Sequence, residues 1–449
     1  MTFILDCVYL LIGVAISPVV LYRMARHKRY HSGWAQRFGE ITRKKPEKKC
    51  IWIHAVSVGE VNATKTIVEE LEKRFGDYEI VISTTTDTGF ARAGSLFGSN
   101  HTVTYFPFDF SPVMHRAFRA IRPAICLLME LEVWPNLVRI AEQQNVPVVV
   151  VNGRISERSF SGYKKIKPIA EKTFGRVSLV LAQTEEYAQR FKQVGAAEEK
   201  VIVTGSLKYD TAQITDRVEG ADTLAEQLFG KIENRKTCPE LVEGLKIENP
   251  LWVVGGTASN EEKILLDVYR NLKQQDRFKN LRLVIVPRKP ERFDEVAELI
   301  KQNGFDLIRY SDVKNEGNQS SIFNLQSSIV ILGDTMGDLR KFYSLASVIF
   351  VGRTLVPLGG SDMIEAAALG KCTMFGPSTY NFQQTADALL AAQGGIMVKD
   401  KQELLQVMEK CLSEPDFTEK IARNGREVIK KNQGATAKTI DQIATLLDA

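Results

Sequence analysis

From residue 50 to about residue 210 the chain repeats one pattern: a short, wholly apolar run, a turn, and in many cases a stretch with helical spacing. The runs are CIWIHAV, YEIVIST, AICLLME, VPVVVVN, SLVLAQT and VIVTG. A strand that is apolar on both faces must be covered on both, and alternation with helices is how a parallel sheet obtains that cover. The pattern stops at KIENRKTCPELVEGLKIENP, residues 231–250, which is charged, holds two prolines and has no clean period, so it reads as a linker or surface insertion. A second series then begins with LWVVGG and continues through LRLVIVP, SIVILGD, ASVIFVG and CTMFGP. The expectation is an α/β protein of two Rossmann-like domains, 50–230 and 251–425, closed by a C-terminal helix over 426–449. The length of 449 residues suits two domains of about 200 residues each. Ligands of open parallel sheets bind beyond the carboxyl ends of the strands, so chemistry is expected in the loops that follow them, in a cleft between the domains.

The first residues have a different character. FILDCVYLLIGVAISPVVLY, residues 3–22, is about the length that crosses a hydrocarbon core as a helix, although Asp6 and Pro18 interrupt it. Basic residues follow the span rather than precede it, and no small-residue cleavage site appears, which disfavours a cleaved secretory signal. Residues 23–49 hold ten Lys or Arg against Glu40 and Glu47, a local charge of +8 in a chain whose net charge is +5. A basic excess confined to one segment argues against a nucleic-acid-binding surface and for contact with an anionic bilayer face. The expectation is a membrane anchor over 1–22 and a basic juxtamembrane segment over 23–49, with the globular part facing the cytoplasm. An amphipathic or core-packing first helix is the alternative. Six scattered cysteines, without a CxxC pair, fit a reducing compartment and no structural zinc.

Several loops carry candidate chemistry. In HAVSVGEVNA, Ser57, Gly59 and Glu60 stand at a strand-to-helix turn. Glu60 could cap that helix, where the dipole would keep its carboxylate ionised, or it could act as a base; Ser57 could already serve as the cap. In MELEVWPN, Glu130 and Glu132 at the end of an apolar strand would share a face, and their like charges would raise one pKa. The plainer reading is a pair of solvated loop acids beside a core Trp134. In GSLKYD, Lys208 is either a surface lysine or a cation for an acidic substrate group. The second series offers VPRKPER, with Pro287 and Arg288, and GDTMGDL, with Met336, Gly337 and Asp338. It also offers LVPLGGSDMIEAAALGK, with Asp362, Met363, Ile364 and Glu365. These are turns before helix starts, suited to a phosphate or carboxylate, and Glu365 could accept from both ribose hydroxyls of a nucleotide. None fits GxGxxG or a P-loop, so a dinucleotide or NTP-hydrolysis reading is poor.

Taken together, WIHAVSVGEVNA, MELEVWPN, NGRISERS, AQTEEYAQRF, GSLKYD, VPRKPERF, GDTMGDL and the closing GGSDMIEA block resemble the 3-deoxy-D-manno-octulosonic acid (Kdo) transferases, inverting glycosyltransferases of the GT-B fold. The resemblance covers nearly the whole chain. It implies transfer of Kdo from CMP-Kdo to the 6′-hydroxyl of the lipid A disaccharide precursor, at the cytoplasmic face of the inner membrane. No cofactor beyond that donor and no catalytic metal is implied. By the same resemblance Glu60 is the general base, and Glu130 and Lys208 stabilise the transition state. Pro287, Arg288, Met336, Gly337, Asp338, Asp362, Met363, Ile364 and Glu365 would bind CMP. The chain departs from the family pattern on the donor side, at Lys289, Arg353, Ser361 with Asp362, and Ala258, and also at Ser206. Those departures keep open another GT-B enzyme with a different donor, such as a hydrolysing epimerase. An inactive membrane-tethered scaffold is the remaining alternative.

Overall fold

The structure, a computed structural model, describes residues 2–27, 32–229, 250–316 and 329–448. The expected linker, 231–250, lies outside those residues except for Pro250. The chain divides into two compact units, Met1–Thr211 with Asn432–Ala449, and Ala212–Lys431.

In the first unit the apolar runs become β1 (Lys49–His54), β2 (Tyr78–Thr84), β3 (Thr102–Tyr105), β4 (Ile125–Met129), β5 (Val148–Gly153), β6 (Leu179–Ala182) and β7 (Val201–Val203). They form a parallel sheet in the order β3-β2-β1-β4-β5-β6-β7. The period of two along each strand feeds two cores: Trp52, Leu128 and Val150 pack on one face, and Ile51, Ile53, Leu127 and Val149 on the other. Helices cover both faces with stripes at helical spacing; Ser111–Ile121, for example, buries Met114, Ala117, Phe118 and Ile121. The order reverses between β1 and β4, where β1 leads outward to β2 and β3 and the chain returns to lay β4 on its other side. Neighbouring loops part there, so the ends of β1 and β4 are where a parallel sheet leaves room for a ligand.

The second unit repeats this plan. Its strands are β8 (Leu251–Thr257), β9 (Arg282–Pro287), β10 (Asp306–Arg309), β11 (Ile329–Leu332), β12 (Val348–Val351), β13 (Cys372–Phe375) and β14 (Ile396–Met397). They lie parallel in the order β10-β11-β9-β8-β12-β13-β14, with the reversal between β8 and β12.

Three expectations change. The stretch 426–449 is not one helix: Pro415–Asn432 and Ala435–Leu447 are separated at Gly434, whose φ of +100° suits a residue without a Cβ. Ala435, Ile440 and Ile443 of the last helix belong to the core of the first unit, and the Asp210 carboxylate receives the Gly434 and Thr436 amides at its start. The basic segment is partly spent inside the fold. Arg43 pairs with buried Glu79 at 2.9 Å and also donates to the Ile121 carbonyl, while Arg37 donates to the Thr85 carbonyl and lies over the Tyr105 ring. A buried carboxylate such as Glu79 needs a cation beside it, so Arg43 is committed there rather than to a bilayer. Finally, the first helix runs from Thr2 to His27, but among the described residues no helix is long and apolar enough to cross a membrane. The single-pass anchor expected over 1–22 finds no support there.

Candidate active site

In the turn after β1, Ser57 and Glu60 hold each other at a helix start. Ser57 is the N-cap of the helix Val58–Ala63, and its Oγ accepts from the Glu60 amide at 3.4 Å. In return Ser57 Oγ donates to Glu60 Oε1, and the Val56 amide donates to Oε2, each at 2.9 Å. The side chain is therefore fixed at both oxygens. Burial pushes the Glu60 carboxyl up; the Val56 amide and Ser57 hydroxyl oppose that, while the negative charges of Glu130 and Glu132 add to it, leaving it at about 7. The sequence-level expectation that the helix dipole holds Glu60 ionised fails for this reason: one helix terminus is outweighed by desolvation and two neighbouring acids.

Those acids come from the end of β4. Glu130 has φ +53°, a left-handed conformation that costs a non-glycine residue energy and here breaks the strand period at once. The expectation that Glu130 and Glu132 would share a strand face fails at that residue. Glu132 instead accepts from Trp134 Nε1 at 3.0 Å and faces His54 Nε2 at 3.7 Å, and their joint charge is felt at Glu60. Trp134 is 37% exposed, so it is not the core tryptophan of the plainer reading.

Lys208 lies half-buried in the short helix Leu207–Asp210 after β7. Asn152, at the end of β5 and with φ +56°, accepts the Leu207 amide on its Oδ1 at 3.1 Å, which fixes where that helix begins. Glu60, Glu130 and Lys208 thus all follow carboxyl ends of strands in one sheet.

In the second unit, Pro287 is the last residue of β9, and the Arg288 amide is tied to the Thr257 carbonyl at 3.2 Å while its side chain stands exposed. Met336 is 72% exposed beside Gly337, at φ +88°. Asp338 is otherwise engaged. Burial pushes its carboxyl up, but hydrogen bonds from Lys341, Thr335 and Lys314 win and hold it at about 2. Asp362 accepts the Ile364 amide at 2.9 Å, starting the helix Ile364–Ala368. Met363 and Ile364 are fully buried, so their side chains belong to the core and only backbone is left there for a ligand. Glu365 stays partly open, its carboxyl raised to about 6 by burial and by Asp362, against Arg340. Glu365, Asp362 and Arg288 all act electrostatically on the buried Tyr343 phenol. Tyr343 packs so close to Gly255 that a Cβ added there would lie 2.2 Å from its oxygen.

Three supporting residues escaped the sequence reading. His54 ends β1, inside the apolar run CIWIHAV, stacks on Phe106 and donates Nδ1–H to the Ser83 carbonyl at 3.0 Å, which leaves Nε2 aimed at Glu132. A histidine inside so apolar a run was the available signal. Asn152 could have been marked by its place at a strand end. Glu261 is fully buried and accepts the amides of Arg353, Thr354 and Leu355 at 2.6, 3.0 and 3.0 Å, so it shapes the loop after β12. Its sequence context, a pair of glutamates opening a helix, looks like ordinary dipole pairing.

Comparison with known proteins bears on the family and the fold. The family model described as 3-Deoxy-D-manno-octulosonic-acid transferase (kdotransferase) matches residues 32–211. A 3-deoxy-D-manno-octulosonic acid transferase of Haemophilus influenzae is 32% identical over 424 residues, spanning 94% of this chain and 92% of the relative. One of Bordetella pertussis is 29% identical over 450 residues, 97% of this chain and 98% of the relative. In fold, the chain is similar to a UDP-GlcNAc 2-epimerase from Neisseria meningitidis bound to UDP-GlcNAc, with a TM-score of 0.57 at 14% identity over 88% of this chain and 100% of that one. Two parallel-sheet units of GT-B type, with the Haemophilus relative matched along nearly its whole length, establish that the chain is a glycosyltransferase and belongs to the 3-deoxy-D-manno-octulosonic acid transferase family.

Proposed function

We propose that the chain transfers Kdo from CMP-Kdo to the 6′-hydroxyl of the lipid A disaccharide precursor, with inversion at the anomeric carbon and Glu60 as general base. The observation that carries this reading is the Glu60 carboxyl, fixed at both oxygens at the β1/β4 reversal and pushed up to about 7. A sugar hydroxyl is a weak nucleophile, and a base whose pKa lies near neutral pH is both ionised in useful fraction and strong enough to help. Glu60 takes the hydroxyl proton as the oxygen bonds to the anomeric carbon, and the bond from that carbon to the CMP phosphate oxygen breaks with its electron pair leaving on CMP.

In the first unit Lys208, with Glu130, serves to stabilise the transition state, and in the second unit Arg288 offers positive charge of the kind that a departing phosphate calls for. On the donor side the exposed Arg288 suits the phosphate as a bidentate donor, and the Glu365 carboxylate suits the ribose hydroxyls. Asp338 serves this reading less directly, by holding Lys314 and Lys341. Pro287, Met336, Gly337, Asp362, Met363 and Ile364 contribute backbone and shape. Attachment of the first helix to the cytoplasmic face of the inner membrane belongs to the same proposal, since the acceptor is a lipid. The test is incubation of the purified protein with CMP-Kdo and tetra-acylated precursor. Absence of a transfer product sinks the reading, and retention of full turnover by Glu60→Gln removes Glu60 from it.

A further inference from the structure

Asp6 is the anomaly of the first helix: an acid in the apolar run FILDCVYLL. A carboxylate in such a place is costly unless it faces polar partners, and this one does. Asp6 Oδ1 accepts from the Ser111 amide and from Asn136 Nδ2, both at 3.1 Å. One turn further, on the same face, Tyr9 Oη donates to Asp109 Oδ2 at 3.0 Å. Asp109, itself 8% exposed, accepts the first free amides of the helix Pro135–Gln143: Asn136 N on Oδ2 at 3.0 Å and Leu137 N on Oδ1 at 2.8 Å. Asn136 also donates to the Asp109 carbonyl at 2.8 Å and its Oδ1 receives the Ser111 hydroxyl at 3.2 Å. The residue before that helix, Trp134, offers no side-chain cap, so its unpaired amides depend on Asp109. Away from this face Leu10, Leu11 and Val14 are 59%, 70% and 65% exposed.

The helix Pro135–Gln143 begins three residues after Glu132 and five after Glu130. We infer that the first helix is a positioning element of the transfer site: Asp6 and Tyr9 hold the start of Pro135–Gln143, and with it the loop that carries Glu130 and Glu132. The inference rests on the reading that this loop serves the transfer reaction. It assigns the helix a task beyond attachment, because a pure anchor needs no acid on its inner face and would be improved by losing one.

The test uses the full-length chain in detergent with CMP-Kdo and the tetra-acylated precursor, comparing Asp6→Leu, Asp6→Asn and Tyr9→Phe. Two hydrogen bonds to the helix starts are lost in Asp6→Leu, and a loop displaced by a fraction of an ångström lowers turnover by about tenfold. The donor KM should not move, and recovery with the membrane fraction should not fall. Asp6→Asn keeps an accepting oxygen and restores turnover to within about twofold of the parent, while Tyr9→Phe loses roughly threefold. Amide exchange at Asn136 and Leu137 should rise in Tyr9→Phe, a readout that needs no substrate. Wild-type turnover in both Asp6→Leu and Tyr9→Phe overturns the inference, as does unchanged exchange in Tyr9→Phe. If Asp6→Leu does not fold, Tyr9→Phe decides alone. A parent protein that makes no product refutes the proposed function instead, and the exchange result still judges whether the first helix holds the start of Pro135–Gln143.

Discussion

Replacing Glu60 by Gln should make the protein slower and, above neutral pH, more stable. The carboxyl moves from an ordinary value of 4.5 to about 7 on folding, chiefly through burial. A group whose folded pKa is raised contributes its full stability below the unfolded pKa and loses it as pH rises through the folded one, so the window is pH 4.5 to 7. At about 1.4 kcal/mol per pH unit, keeping Glu60 ionised at pH 8 costs up to about 3.5 kcal/mol, and about 1 to 3 once relaxation is allowed for. Gln keeps the local contacts, since its oxygen can accept from the Val56 amide and its amide can donate to Ser57 Oγ. Urea unfolding of both proteins at pH 5, 6, 7 and 8, in one detergent, reads the difference. The variant should gain on the parent through pH 7 and hold that gain at pH 8, while turnover falls by about 10² to 10⁴. A gap between the two proteins that does not widen with pH would refute the assignment of the raised carboxyl to Glu60.

Glu132→Gln removes one of the charges that push Glu60 up and keeps an oxygen for Trp134 Nε1. The acidic limb of kcat/KM should move down by about half a pH unit, giving roughly two- to threefold more relative activity at pH 6 than the parent shows. A limb that stays or moves up contradicts the coupling. Asn152→Ala removes the acceptor of the Leu207 amide, so Lys208 loses its fixed start; turnover should drop about tenfold with the donor KM little changed, measured in steady state. Glu261→Ala leaves three amides, one of them fully buried, without their acceptor, which should lower stability by about 3 kcal/mol and raise the donor KM, and a melting curve with donor titration checks both.

The two sheets were legible because their strands are buried on both faces, which leaves an unbroken apolar run that few other elements produce. The C-terminal exchange was not: nothing local in Ala435–Leu447 distinguishes a helix that packs on its own unit from one that returns to the first, and the deciding contacts, from Asp210, lie more than 200 residues away. The positions of Glu60, Glu130 and Lys208 at strand ends could be read from the motifs. Their electrostatics could not. Whether Glu60 is held low by a helix start or raised depends first on how deeply the turn buries it and then on the charges of Glu130 and Glu132, which follow a strand end that only the fold defines.

The donor-side departures take on a different meaning in the structure. Ser361 donates to the Gly256 carbonyl at 2.9 Å and Asp362 receives the Ile364 amide, so both side chains close the turn rather than leave it vacant. Arg353 sits at φ +64°, with its backbone amide on Glu261 and its guanidinium on the Leu358 carbonyl. These three residues therefore shape the loop, while Arg288 and Glu365 keep side chains open to a ligand. On the proposed function, a change of donor would require Arg288 and Glu365 to change, whereas Arg353, Ser361 and Asp362 brace the backbone. Glu261 grips that loop at three consecutive amides, so the shape of the loop after β12 is set by a buried carboxylate rather than by the side chains of Arg353, Ser361 and Asp362 alone.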